Sequence, residues 1–301
     1  MRLPWLITAL LLAAGAASAQ SPAGDWDDAI DVQDRFRTFH VHVPPAYDPA
    51  RPAPLVLAFH GRGGSGKGMV ALTGFNRLAD AGGFIVVYPD GVNGSWNDGR
   101  PAMPATAQGV DDVEFVRQLL GELRGRLNVD PRRIYATGMS NGGVFAQRLA
   151  GALAPTIAAV APVAGLLDRA VPLPSALPAP VSVILVHGTS DPVVPWGGGA
   201  VGSGLSATAT AAAWAALNGC PGAARASVEP ERAPRDGTRV RREVWAPCRH
   251  GSEVILYAIE GGGHTWPGGP TLAPNFGHTS RQLDASAAIV DFLLRHGRRT
   301  P

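Results

Sequence analysis

An α/β fold, with a mostly parallel central sheet and helices on both faces, is what this sequence predicts. Short apolar runs bounded by Gly or Pro alternate with stretches of helical periodicity, the pattern of strands buried between two helix layers. The 301 residues suffice to bury roughly 75% of the unfolded surface around one core. No Pro- or Ser-rich linker and no repeat of roughly 20–50 residues divides the chain, so one domain over 20–301 is expected.

Residues 1–19 are set apart. Arg2 gives a positive start, Leu3 to Ala14 are almost wholly apolar, and Ala17-Ser18-Ala19 is a small-x-small cleavage pattern before Gln20. A cleaved export signal is expected rather than a membrane anchor, since the run is shorter than the roughly 20 residues of a span. No Cys follows the cleavage point to carry a lipid.

From there the elements follow in order. After a polar stretch from Ser21 to Asp34, Phe36 to Val43 alternates at period two, and Leu55 to Phe59 is continuously apolar; both read as strands. Met69 to Ala81 has helical periodicity and stops at Gly82-Gly83; Phe84 to Tyr88 is a buried strand. Residues 89–109 form a long Gly/Asn/Pro loop. Asp111 then caps a helix reaching about Leu127, with Glu114 placed to complete a capping box. Arg133–Thr137, Ile157–Val163, Val181–Val186, Val240–Trp245 and Glu253–Ile259 read as strands, and Gly142–Ala152, Ser206–Leu217 and Leu283–His296 as helices. Gly197 to Gly204 reads as a flexible loop.

Composition excludes several function classes. The chain is 46% apolar and 17% charged, too apolar for a disordered chain. Its 26 basic and 24 acidic residues leave +2, too little for a protein held to nucleic acid by phosphate neutralisation. The two cysteines, Cys220 and Cys248, lack the clustering and His partners of a metal site. In an oxidising compartment they are expected to pair, two free buried thiols being the alternative.

The strongest chemical signal is Gly138-Met139-Ser140-Asn141-Gly142-Gly143, lying between an expected strand and an expected helix. Ser at the tip of such a bend is held in strained backbone geometry, and glycines two residues either side let strand and helix pass closely. A hydroxyl is a poor nucleophile near neutral pH, so a base must take its proton and a carboxylate must orient that base. Asp191 lies just past an apolar strand in His187-Gly188-Thr189-Ser190-Asp191-Pro192, and His264 lies on the glycine loop after the last strand. Asp168 and His278 are the rivals; the first falls one strand early and the second follows no strand. His60 and His187 end strands as His-Gly turns and are expected to shape backbone.

For the oxyanion, the backbone N–H of Asn141 is one expected donor and that of Arg62, in His60-Gly61-Arg62-Gly63-Gly64, the other. No Walker motif makes that glycine turn a phosphate cradle. Trp96 and Trp266 are expected to line the substrate site, loop anchoring being the alternative for them and for Trp196. Asp112 precedes the serine and is expected to cap a helix rather than catalyse. No metal and no cofactor is expected, and nothing in the sequence speaks to oligomeric state.

These motifs, together with Trp96-Asn97-Asp98 and Val110-Asp111-Asp112-Val113, resemble those of the secreted polyhydroxybutyrate depolymerase and feruloyl esterase group across about residues 35–295. The resemblance implies an α/β-hydrolase fold, a triad of Ser140, Asp191 and His264, and a Cys220–Cys248 pair. Some depolymerases of the group carry Cys where this chain has Arg62. The polyester reading comes first and feruloyl or acetyl esters of plant polysaccharide second. The linker and binding domain used on solid polyester are not expected here.

Overall fold

A computed structural model describes residues 23–169, 171, 173–199 and 204–298; the expected export signal lies outside them. Ten strands form one sheet: β1 (Gly24–Asp31), β2 (Phe36–Val43), β3 (Ala53–Phe59), β4 (Ile85–Pro89), β5 (Val129–Met139), β6 (Ile157–Val163), β7 (Ser182–Gly188), β8 (Arg225–Val228), β9 (Arg239–Trp245) and β10 (Val254–Glu260). Their spatial order is β1-β2-β4-β3-β5-β6-β7-β10-β9-β8. The six central strands, β4 to β10 in that order, run parallel, and antiparallel pairs finish both edges.

Among the described residues, seven α-helices accompany the sheet: α1 (Gly66–Thr73), α2 (Phe75–Gly82), α3 (Pro104–Ala107), α4 (Asp112–Arg126), α5 (Asn141–Ala152), α6 (Ala207–Leu217) and α7 (Ala285–Arg295). Strand side chains alternate between faces. Leu55, Leu57 and Phe59 therefore pack with Phe115 of α4, Phe145 of α5 and Trp214 of α6. Val56 and Ala58 pack on the other face with Met69 of α1, Phe75 of α2 and Phe292 of α7. Burying one such Leu or Phe side chain contributes about 1.5–3 kcal/mol.

Several local expectations are corrected. The single helix expected over 69–81 is two, broken at Gly74, whose φ of 59° is left-handed. Asp111 does cap α4 by accepting the Glu114 N–H at 3.0 Å, but the Glu114 carboxylate bonds Arg117 and Gln118, so the box is half formed. Asp112 is no cap: it is buried and paired with Arg37 at 2.6 Å.

The acidic stretch before residue 34 contains β1. Asp25 and Asp27 stand opposite His42 and His40 in register, and each bonds its partner's Nδ1 at 2.6 Å. Trp26, on the other face, packs edge-on against Phe39. Cross-strand Asp–His hydrogen bonds thus stand in β1 and β2 where the inner strands carry continuous apolar runs.

Cys220 and Cys248 are joined, tying the end of α6 to the segment before β10. Closing a loop of 28 residues stabilises the fold by about 3–4 kcal/mol in the chain-entropy account. Urea unfolding of the Cys220→Ser/Cys248→Ser protein should show a loss of that size; an unchanged midpoint would contradict it.

Candidate active site

The carboxyl ends of parallel strands are where an α/β sheet opens its crevice. Four turns meet there: after β3, β5, β7 and β10. Ser140 tops the turn from β5 into α5 with φ 56° and ψ −118°, a conformation costing of order 1–3 kcal/mol for a residue with a side chain. Its N–H is held by the Val163 carbonyl at 2.8 Å. A Cβ on Gly138 would come within 2.6 Å of the Gly142 carbonyl carbon, and one on Gly142 would strike the Phe59 carbonyl oxygen. Only glycine lets β5, β3 and α5 converge this closely.

Because β7 and β10 are neighbours, the turns following them touch. His264 Nδ1 lies 2.8 Å from Asp191 Oδ2, both side chains being buried. A carboxylate only accepts, so Nδ1 carries the proton and Nε2 is left as the basic nitrogen. The other oxygen, Asp191 Oδ1, accepts the N–H groups of Val193 and Val194 at 2.8 and 2.7 Å. His264 is further fixed by its own N–H on the Phe276 carbonyl at 2.6 Å and by stacking against the Phe276 ring.

Ser140 and His264 share the wall of a cavity of about 480 Å³. Arg62 and Asn141 also line it. Among the described residues, no acceptor takes up the backbone N–H of either one. Met103, Val193, Leu272 and Phe276 give the cavity an apolar side, and Arg100 joins Arg62 among the lining residues. The sequence reading missed these lining residues.

Of the rivals, Asp168 bridges to Gly204 and His278 bonds Asp236 at 3.2 Å; neither lines this cavity. Trp96 and Trp266 are corrected. Trp96 is fully buried, stacked on Phe145 and donating Nε1–H to the His60 carbonyl at 2.9 Å. Trp266 is equally buried and bonds Ser286. Both anchor loops; neither touches the cavity.

The Trp96 loop instead braces the residue after the serine. The Asn141 amide accepts the Trp96 N–H at 2.8 Å and donates to the Trp96 carbonyl and to Asp98 Oδ2, the last at 2.7 Å. Asn97 N–H donates to Asp112, and Arg148 reaches the Asn97 carbonyl at 2.8 Å. The motifs around Trp96 and Asp112 were visible in the sequence, but their common target was not.

The His-Gly turns do shape backbone. His60 Nδ1 faces the Gly61 carbonyl at 2.8 Å and its Nε2 accepts the Gly91 N–H at 2.9 Å, which fixes a neutral ring. His187 donates from Nε2 to the Val194 carbonyl at 2.8 Å. Among the described residues, no group of three His, Cys, Asp or Glu is placed to hold a metal, and no helix is long and apolar enough to cross a membrane.

A family model described as "Putative esterase" matches residues 32–231. This chain belongs to that esterase family. "Putative esterase NocK" of Nocardia uniformis subsp. tsuyamanensis is 35% identical over 280 residues, covering 87% of this chain and 80% of that one. Feruloyl esterase B of Piromyces equi is 33% identical over 238 residues, 74% of this chain but only 42% of that protein. The solved acetyl xylan esterase from Aspergillus awamori overlays with a TM-score of 0.55 at 17% identity, over 76% of this chain and 89% of that one. That likeness shows the α/β-hydrolase fold, and family membership makes the esterase a carboxylic-ester hydrolase.

Burial holds His60, His187 and His296 below the ordinary imidazole value of 6.5. The unfolded chain therefore takes up protons first on acidification, and the stability these neutral rings contribute is present above pH 6.5 and lost below it. The thermal midpoint should fall steadily as pH is lowered from about 7.5 to about 5. A flat profile there would contradict the buried neutral rings.

Proposed function

We propose that this esterase is exported and hydrolyses aromatic acyl esters, feruloyl esters of plant polysaccharide foremost, through an acyl-enzyme on Ser140. The observation that carries the reading is the buried His264–Asp191 hydrogen bond in the wall of the cavity that also holds the strained serine. Ser140 Oγ attacks the ester carbonyl while its proton passes to His264 Nε2. The N–H groups of Arg62 and Asn141 receive the oxyanion. His264 returns the proton to the departing alcohol, and water then repeats the sequence to release the acid.

Asp191 acts by holding the imidazole in the tautomer that leaves Nε2 free, and by stabilising the imidazolium. Each oxyanion donor contributes about 3–4 kcal/mol to the chemical step.

The Piromyces relative's name and the apolar side of the cavity support an aromatic acyl group. An acetyl group would leave much of that space unfilled. The polyhydroxybutyrate reading gives way to the feruloyl one, which the name of the Piromyces relative supports. The leader-like residues 1–19 and the disulfide support export.

Hydrolysis of 4-nitrophenyl butyrate and methyl ferulate should fall at least ~1,000-fold in kcat for Ser140→Ala. Methyl ferulate should be turned over faster than 3-hydroxybutyrate oligomers. Full activity in Ser140→Ala would overturn the nucleophile, and the reverse substrate order would overturn the acyl preference.

A further inference from the structure

The cavity has a charge pattern that a neutral aromatic acyl group does not use. Two arginines, Arg62 and Arg100, line it, and no Asp or Glu does. Arg100 is held rigidly: its Nε and Nη2 clasp Oδ2 of the fully buried Asp98 at 2.9 and 2.5 Å, and its own N–H bonds Asp98 Oδ1 at 2.9 Å. The Nη1 side of that guanidinium has no acceptor among the described residues. Arg62 is exposed at the same cavity and has no carboxylate partner among the described residues.

Asp98 neutralises Arg100, so Arg62 leaves one uncompensated positive charge, and the N-terminus of α5 beneath Ser140 adds to it. An Arg whose guanidinium springs from the turn that borders the scissile carbonyl, with no anion of its own, is placed to meet one on the substrate. The apolar side of the cavity suits the acyl group. The cationic side is then left for the alcohol portion.

We propose that Arg62, backed by Arg100, selects esters whose alcohol portion carries a carboxylate, as an acidic saccharide does. This rests on the serine-esterase reading above and adds the charge of the leaving group to it. Arg62 pairs with the carboxylate through the N–H donors along the edge of its planar guanidinium, which Lys matches in charge but not in geometry. Because the pair is partly solvated, its effect is moderate and salt-sensitive.

The test compares kcat/KM for carboxymethyl and propyl esters of one acid, ferulate or butyrate, whichever the enzyme turns over faster. Reading the anionic-to-neutral ratio within each variant cancels any loss common to both substrates. The ratio should drop about three- to tenfold in Arg62→Ala, recover in part in Arg62→Lys, and shrink in about 0.5 M NaCl for the wild type alone. A ratio equal in wild type and Arg62→Ala, with both esters still hydrolysed, would overturn the charge inference and leave the serine mechanism standing. Hydrolysis of neither ester by the wild type would overturn both readings, and hydrolysis of the propyl ester alone would overturn only the charge inference.

Discussion

The hydrogen bond between Asp191 and His264 is the constraint on which the site depends. The two residues are 73 positions apart, and they meet only because β7 and β10 pair in parallel and end together. A buried carboxylate beside a single imidazole would be costly to desolvate. The Val193 and Val194 N–H groups offset that cost by occupying the second oxygen. His187 Nε2 then bonds the Val194 carbonyl, which holds the turn that carries Asp191 beside His264.

A second layer of polar contacts sets the other half of the site. Asp98 and the Trp96 backbone grip the Asn141 side chain, while Asp112 and Arg148 grip Asn97 in the same loop. The loop from residue 95 to 100 is thereby fixed against the first turn of α5, where Asn141 lines the cavity. Arg37 neutralises Asp112, although burial still pushes that carboxyl above its ordinary value. Polar groups that are buried together have to satisfy one another, and here doing so locates a backbone N–H.

The inner strands and the serine turn were legible because their signals are local. Leu55 to Phe59 and Ile157 to Val163 are short apolar runs that suit strands buried on both faces, and glycine at 138 and 142 follows from backbones in contact. What escaped was decided by partners remote in sequence. The first strand is acidic because its Asp residues face His40 and His42 on the neighbouring strand and Arg126, 98 positions from Asp28. Trp96 was misplaced since a loop tryptophan offers the same apolar surface to a ligand or to a core; Phe59 and Phe145 decide for the core. Arg100 gave no signal at all, because its place depends on a carboxylate two residues earlier being buried beneath it.

The proposed chemistry requires His264 to make Ser140 nucleophilic. Fluorophosphonate labelling of the folded protein, followed by peptide mass spectrometry, reads this directly. One adduct on Ser140, lost on unfolding and slowed by orders of magnitude in His264→Ala, is the predicted result. Labelling of a different serine, or equal labelling with and without the imidazole, would contradict it.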